Sequence, residues 1–99
     1  MDLLFEWDAN KAKANLNKHK VSFEEAKTVL NDPLLITFPD EEHSKAEDRF
    51  ISIGMSAMNR LLLVVHTEHE ATKKSIVIRL ISCRKTTASE RRVYEKDEE

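Results

Sequence analysis

The sequence predicts an α+β fold in which an antiparallel β-sheet carries two N-terminal helices and a short C-terminal helix. Three strand-length runs rich in Ile, Leu and Val lie between residues 49 and 84, with short polar connections between them. Short connections return a chain antiparallel, so these runs predict a meander. Helix-capping signals on either side of the runs predict helices packed against one side of the sheet.

A short strand and a helix are expected at the start of the chain. Residues 4–7 indicate a strand, and Asp8 is a residue type that caps helix N-termini, so a helix should run from about 9 to 19. An apolar stripe on this helix consists of Ala9, Ala12 and Leu16, extended by His19. A second stripe, at i, i+4 and i+7, consists of Lys11, Asn15 and Lys18. The second stripe is either a solvated surface or a row of phosphate donors.

A second helix and a second strand should follow. Ser22 with Glu25 three residues later is a capping-box pattern. The helix must end before Pro33, because the residue ahead of proline is pushed out of the α region. Residues 34–38 are apolar and strand-length, whereas the acidic stretch 40–48 predicts a loop.

The last predicted strand places a charge among apolar neighbours. Strand alternation puts Arg79 on the same face as Val77, Ile81 and Cys83. Burying an unpartnered guanidinium there would cost several kcal/mol, so Arg79 is either salt-bridged or lies at the open end of a groove.

The chain should end in a short helix. Thr87 and Glu90 repeat the capping-box pattern. The apolar residues of this helix are few: Ala88, Val93 and Tyr94. It therefore lies across the sheet edge or awaits a partner, and residues 96–99 should fray.

Composition limits the class of protein. The 99 residues suffice for one domain, 1–99, with a modest core. No apolar run approaches the roughly 20 residues that span a membrane, and the N-terminus lacks the features of a secretory signal. A single cysteine fits a reducing compartment, so we expect a cytoplasmic protein. The net charge of −2 gives no argument for nucleic acid, although basic residues collect at 11–20 and 84–92.

The sequence predicts no metal or cofactor site. Zinc-ligand spacings and a glycine-rich phosphate loop are absent, and His66 and Cys83 are better explained as sheet residues. What remains is a set at the end of the chain: Arg79, Arg84, Lys85, Arg91, Arg92 and Tyr94. Such residues suit metal-independent RNA cleavage, because the RNA supplies its own 2′-OH nucleophile while the protein stabilises the phosphorane and moves protons.

The order and spacing of several motifs resemble the BrnT family of type II toxins. The matching pieces are FEWD at 5–8, Lys11, Asn15, KH at 18–19, VSFEE at 21–25, DP at 32–33, EDRFISIG at 47–54, LLLVVHTE at 61–68, IRLIS at 78–82, Arg84, Glu90, Arg91 and Tyr94. Lys20 departs from the pattern, which has glycine after Lys-His. Glycine there would serve as a left-handed C-cap, so Lys20 either forces a different helix ending or adopts a strained one.

The resemblance implies a RelE-like fold, RNA cleavage that arrests translation, and neutralisation by a cognate antitoxin. The antitoxin would be a small DNA-binding, BrnA-like protein, and the complex would repress its own operon. The toxin would meet DNA only through the antitoxin, and RNA either free or on the ribosome. No cofactor is implied.

The candidate site residues fall into two sets. Catalytic roles are predicted for Arg79, Arg84, Lys18, His19 and Tyr94. RNA contacts are predicted for Lys11, Asn15, Lys85, Arg91 and Arg92. The structural alternatives are a salt bridge from Arg79 to Glu47, Asp48 or Glu68, packing of His19 against the sheet, and anchorage of the last helix by Tyr94. The alternative function is a non-catalytic subunit that sequesters an antitoxin or binds RNA.

Overall fold

The computed structural model of the chain describes residues 2–43 and 48–97. Its elements are β1 Asp2–Glu6, α1 Ala9–His19, α2 Phe23–Val29, β2 Ile36–Pro39, β3 Arg49–Met55, β4 Leu61–Thr72, β5 Ser75–Lys85 and α3 Ala88–Asp97. This order confirms the predicted strand, two helices, four strands and last helix. A 3-10 turn, Glu41–His43, follows β2. Positions 44–47 of the predicted loop and positions 98–99 of the predicted frayed end lie outside the described residues.

In the described ranges, five strands form one mixed sheet in the order β1-β5-β4-β3-β2. Each pairing among β2, β3, β4 and β5 is antiparallel, which confirms the meander. β1 runs parallel to β5, with Glu6 opposite Arg79, so the prediction of an antiparallel sheet is wrong for this strand. Because two helices and three strands separate β1 from β5 in the chain, no short turn fixes their relative direction.

The helices cover both faces of the sheet, so the prediction that they lie against one side is wrong. On one face, Phe23 of α2 belongs to the same buried cluster as Leu62 of β4. On the other, Tyr94 of α3 clusters with Leu61 and Leu63. Consecutive leucines point to opposite faces of a strand, and such a continuous apolar run is typical of a strand covered on both sides. None of the described helices is long and apolar enough to cross a membrane.

The predicted helix caps are present. Asp8 Oδ1 accepts hydrogen bonds from two backbone N–H groups in the first turn of α1, and Ser22 Oγ accepts one from the Glu25 N–H at 3.0 Å. Before α3, the Glu90 N–H donates to Thr87 Oγ1 and the Thr87 N–H donates to Glu90 Oε1. Each cap satisfies backbone donors that have no partner inside the helix.

A β-bulge in β5 reverses the side-chain alternation beyond Leu80. Two consecutive residues of β4 pair with Ser82 and Leu80, which leaves Ile81 as the extra residue. Cys83 therefore lies in the same buried cluster as Leu80. The prediction that Cys83 shares a face with Arg79 is wrong, because simple alternation does not hold across a bulge.

Helix α1 ends at Lys20 in a left-handed conformation, with φ 61° and ψ 32°. The Lys20 N–H donates to the Leu16 carbonyl oxygen at 3.0 Å, which caps the helix in the way a glycine would. Of the two outcomes expected for this departure from the family pattern, Lys20 adopts the strained one.

Replacing Lys20 with glycine is expected to stabilise the protein by about 0.5–1 kcal/mol. Left-handed backbone costs a non-glycine residue about 1–2 kcal/mol, and the greater freedom of glycine in the unfolded chain offsets part of that gain. Urea unfolding measures the change. The control is Lys13→Gly at an exposed, right-handed position of α1, which should destabilise by about 1 kcal/mol. Destabilisation by both substitutions would contradict the assignment of strain to Lys20.

Candidate functional site

The edge of β5 that faces α1 organises most of the predicted site residues; we call this boundary the α1–β5 seam. β1 pairs with β5 only as far as Glu6 opposite Arg79, whereas β5 continues to Lys85. Beyond β1, the amide of Asn15 takes the place of a neighbouring strand. Its Nδ2 donates to the Cys83 carbonyl oxygen at 2.8 Å, and its Oδ1 accepts from the Cys83 N–H at 3.0 Å.

Asn15 is therefore a structural residue of α1. Its Nδ2 also donates to the Val21 carbonyl oxygen at 3.0 Å, so both amide hydrogens are engaged. The residue is 6% exposed. This geometry argues against the prediction that Asn15 donates to RNA, because its donors are already paired with backbone inside the protein.

A cleft of about 250 Å³ lies at the start of the seam, lined by Glu6, Trp7, Asp8 and Arg79. Arg79 is exposed there, and within the described residues its guanidinium makes no ion pair or hydrogen bond. The predicted salt bridges to Asp48 and Glu68 are therefore not formed, and Glu47 lies outside the described residues. Arg79 lies at an open groove, the other of the two expected arrangements.

Trp7 connects this cleft to the core. Its ring meets Phe23 edge to face, with 5.9 Å between centroids and an interplanar angle of 82°, and it packs against the buried cluster that contains Phe23 and Leu62. The half-buried ring also forms part of the cleft wall. An aromatic surface beside a guanidinium suits stacking of an unpaired nucleobase.

A second groove, of about 310 Å³, continues along the seam. Its walls are Lys11, Ala14, Asn15, Lys18 and His19 on α1, with Ile81 and Ser82 on β5. Lys11 and Lys18 are exposed, and His19 is half-buried. The two ammonium groups therefore border a groove whose volume can accommodate part of an extended ligand.

The structure does not bring Lys18 and His19 to Arg79. Asp8, at the start of α1, lines the cleft with Arg79, whereas Lys18 lies in the last turn. At 1.5 Å per residue the two ends are about 15 Å apart. Lys18 and His19 line a groove with Ile81 and Ser82, next to the cleft that contains Arg79, so the two sets can meet different phosphates of one RNA strand.

Arg84, another predicted catalytic residue, is paired with a side chain of α3. Its Nη1 and Nη2 donate to the two carboxylate oxygens of Glu90, both at 2.8 Å. This guanidinium is the main reason that the pKa of Glu90 falls to about 2. Since Glu90 also caps α3 at Thr87, the pair joins the end of β5 to the last helix. The geometry supports a structural role for Arg84 in place of the predicted catalytic one.

Tyr94 anchors α3. It is 3% exposed and lies in the cluster with Ile53 and Leu63, and its hydroxyl donates a hydrogen bond to Asp32 Oδ2. This burial and the pairing of the hydroxyl with a carboxylate argue against the predicted catalytic role. The structural alternative describes this residue.

A third groove, of about 280 Å³, lies at the far end of β5 and contains Lys85 and Arg91. Its other walls are Asn59, Arg60, Leu61 and Thr86. Arg60 connects this groove to the end of α1, because its Nη2 donates to the Lys20 carbonyl oxygen at 3.2 Å. Arg92 is exposed on α3 but does not line this groove.

A partly buried ion pair that the sequence analysis missed holds this end together. Glu25, whose side chain is 3% exposed, pairs with Arg60 and accepts a hydrogen bond from Ser56 Oγ at 2.7 Å. The hydrogen bond from Arg60 is the main cause that lowers the pKa of Glu25. The local pattern gave Glu25 only a capping role, and no local signal points to a partner on the β3–β4 turn.

His66 and Cys83 are not accessible to substrate. His66 is fully buried, its Nε2 lies 2.7 Å from Ser52 Oγ, and burial lowers its pKa to about 4. Burial also raises the pKa of the Cys83 thiol to about 12. Across ranges 2–43 and 48–97, no group of three or more His, Cys, Asp or Glu side chains is placed to hold a metal ion.

Comparison with known proteins identifies the family. The model of the family described as "Ribonuclease toxin, BrnT, of type II toxin-antitoxin system" matches residues 7–90. The crystal structure of the Brucella abortus ribonuclease toxin BrnT has a similar fold, with a TM-score of 0.62 and 21% identity over 88% of this chain and 99% of that chain. Comparison with curated proteins gives no match. Since the family match spans most of the sequence, the chain belongs to the BrnT family of ribonuclease toxins of type II toxin–antitoxin systems.

Proposed function

We propose that this chain is an endoribonuclease that cleaves RNA without a metal ion, and that the cleft around Arg79 is its reaction centre. The observation that carries the proposal is the exposed guanidinium of Arg79, which has no side-chain partner within the described residues and lies beside a groove bordered by lysines. Surface arginines are usually solvated or paired with acids. This one lines a cleft that has an aromatic wall.

The chemistry requires little from the protein beyond position and charge. The 2′-oxygen of a ribose attacks the adjacent phosphate, and negative charge grows on the non-bridging oxygens of the phosphorane. The planar fork of Arg79 can donate two hydrogen bonds to those oxygens at once. The Trp7 ring is available to stack on a base next to the scissile phosphate.

The RNA strand would follow the α1–β5 seam away from Arg79. Lys11, Lys18 and His19 border the second groove, and Lys85 and Arg91 lie in the third. Lys85 lies six positions after Arg79 on β5, which is about 20 Å at 3.3 Å per residue. Phosphate contacts along that path would hold single-stranded RNA. Because these basic side chains lie along one path, a chain with net charge −2 presents a local basic surface.

We further propose that cleavage inhibits translation and that a DNA-binding, BrnA-like antitoxin neutralises the chain. The family is one of type II systems, in which the partner is a protein antitoxin. Apolar side chains on the α3 side of the sheet are available to such a partner: Phe38 of the outer strand β2 is 40% exposed and Val93 of α3 is 53% exposed. Exposed apolar residues of this kind are common at protein interfaces.

Cleavage of a purified messenger RNA by the isolated chain tests the proposal. The reaction is run in excess EDTA, with and without ribosomes, and the ends of the products are analysed. We expect EDTA-resistant cutting that leaves 2′,3′-cyclic phosphate and 5′-hydroxyl ends, as attack by the 2′-oxygen requires.

Two results would contradict the proposal in different ways. Cutting that EDTA abolishes and Mg²⁺ restores would overturn metal independence. A folded protein that binds RNA or the antitoxin but cuts nothing, with or without ribosomes, would instead establish the non-catalytic binding function.

A further inference from the structure

The parallel pairing of β1 with β5 places a carboxylate beside Arg79. Glu6 is the register partner of Arg79, and neighbouring strands lie about 4.8 Å apart, so the two side chains leave the sheet on the same face as neighbours. Both line the 250 Å³ cleft. The local sequence gave no sign of this proximity, because 73 positions separate the two residues in the chain.

Glu6 is not committed elsewhere. It is exposed at the end of β1, and within the described residues its carboxylate makes no ion pair or hydrogen bond, not even with Arg79. The other carboxylate of the cleft, Asp8, accepts two backbone hydrogen bonds as the cap of α1. Glu6 is therefore the cleft's carboxylate without a structural role.

The groups that sequence analysis predicted for proton transfer lie elsewhere. Lys18 and His19 line the second groove and not the cleft of Arg79, and the Tyr94 hydroxyl is buried on the α3 side. A base must reach the proton that it removes within hydrogen-bond distance, directly or through one water. Among the described residues that line the cleft, a carboxylate is the side chain able to accept that proton.

We propose that Glu6 is the general base of the RNA cleavage proposed above. The Glu6 carboxylate removes the proton of the 2′-OH, the 2′-oxygen forms its bond to phosphorus, and the bond from phosphorus to the 5′-oxygen breaks. Arg79 holds the non-bridging oxygens. The leaving 5′-oxygen takes a proton from water and Glu6 returns its proton to water, so no net proton is consumed. The products are a 2′,3′-cyclic phosphate and a 5′-hydroxyl.

The test measures single-turnover cleavage of a short RNA at saturating protein, for the wild type, Glu6→Gln and Asp8→Asn, as a function of pH. Binding of the 2′-O-methyl form of the same RNA, which has no nucleophile, is measured in parallel. Glutamine keeps the shape of glutamate without its basicity, and asparagine keeps the helix cap. We expect Glu6→Gln to lose about 100- to 10,000-fold in rate, to lose the acidic limb of the pH profile, and to bind the 2′-O-methyl RNA as the wild type does. Asp8→Asn tests the other carboxylate of the cleft, and its loss in rate should be smaller than that of Glu6→Gln.

Each other outcome overturns the proposal. An unchanged rate in Glu6→Gln removes Glu6 from the reaction while leaving the ribonuclease function intact. A matching loss in Asp8→Asn, with a correct thermal melt, gives the role of base to Asp8. A loss of 2′-O-methyl RNA binding in Glu6→Gln makes Glu6 a binding residue. Absence of cutting by the wild type, on or off the ribosome, removes the proposed function together with its base.

Discussion

Replacing Arg79 with alanine is expected to slow RNA cleavage by about 100- to 1,000-fold, equivalent to about 2.7–4 kcal/mol of transition-state stabilisation. The guanidinium would act on charge that is present only in the phosphorane, so the loss should appear in the single-turnover rate more than in affinity for intact RNA. Stability should change by less than about 0.5 kcal/mol, because Arg79 is exposed and has no side-chain partner within the described residues.

Two further variants make the Arg79 measurement specific. Arg79→Lys keeps the charge but loses the fork that matches two phosphate oxygens, so its rate should fall between those of the wild type and Arg79→Ala. Lys73→Ala removes one positive charge from the exposed turn between β4 and β5, away from the seam, and should leave the rate unchanged. Equal effects of Lys73→Ala and Arg79→Ala would reduce the role of Arg79 to general electrostatic attraction.

Replacing Asn15 with alanine is expected to destabilise the protein by about 2–4 kcal/mol. The change removes three hydrogen bonds and leaves the Cys83 N–H and the carbonyl oxygens of Cys83 and Val21 without their partner. A buried group left unsatisfied costs about 1–3 kcal/mol, and the better helix propensity of alanine returns only about half a kcal/mol. In a domain of this size the melting temperature should fall by at least about 8 °C.

Asn17→Ala is the matched control for this effect. Asn17 lies on the same helix but is exposed, so the same substitution should change stability by less than about 0.5 kcal/mol. Urea unfolding monitored by circular dichroism compares the two variants. A difference of less than 1 kcal/mol between them would mean that water replaces the Asn15 amide at the edge of β5 with little loss.

Features that local chemistry dictates could be predicted from the sequence. Asp8, Ser22 and the Thr87–Glu90 pair cap the helices as their side-chain types predict, because a cap is decided within four residues. The strands β3, β4 and β5 follow from apolar runs with short connections, which permit only antiparallel neighbours.

Features that depend on distant partners could not be predicted in this way. The parallel place of β1 and the pairing of Glu25 with Arg60 join parts of the chain that no local pattern relates. The bulge at Ile81 changes the face of the sheet on which Cys83 lies, although no glycine or proline in β5 indicates a bulge. The continuous leucines of β4 did carry a usable signal, since a strand that is apolar on both faces predicts cover on both sides.

The predicted site residues show the same difference between what residue type indicates and what only the fold decides. Residue type alone led to Arg79, Lys11, Lys18, Lys85 and Arg91, all of which line the grooves along β5 or the cleft at its start. It equally led to Arg84, Asn15 and Tyr94, because arginine, asparagine and tyrosine form structural contacts inside proteins as readily as they bind RNA. Burial and partners, which only the fold supplies, separate the two groups.

The Asn15 amide also has a consequence for self-association. A strand edge with unpaired N–H and carbonyl groups is a template on which another chain can add a strand, and natural proteins cover such edges. In the described sheet, β5 has β1 beside it only up to Arg79, and the remainder of that edge is covered by α1 and closed at Cys83 by a side chain. A helix can cover an edge yet still leave grooves along it, whereas an added strand would fill them. The cover that α1 provides along the edge of β5 therefore hinders edge-to-edge aggregation, and the grooves along the same edge leave room for a ligand.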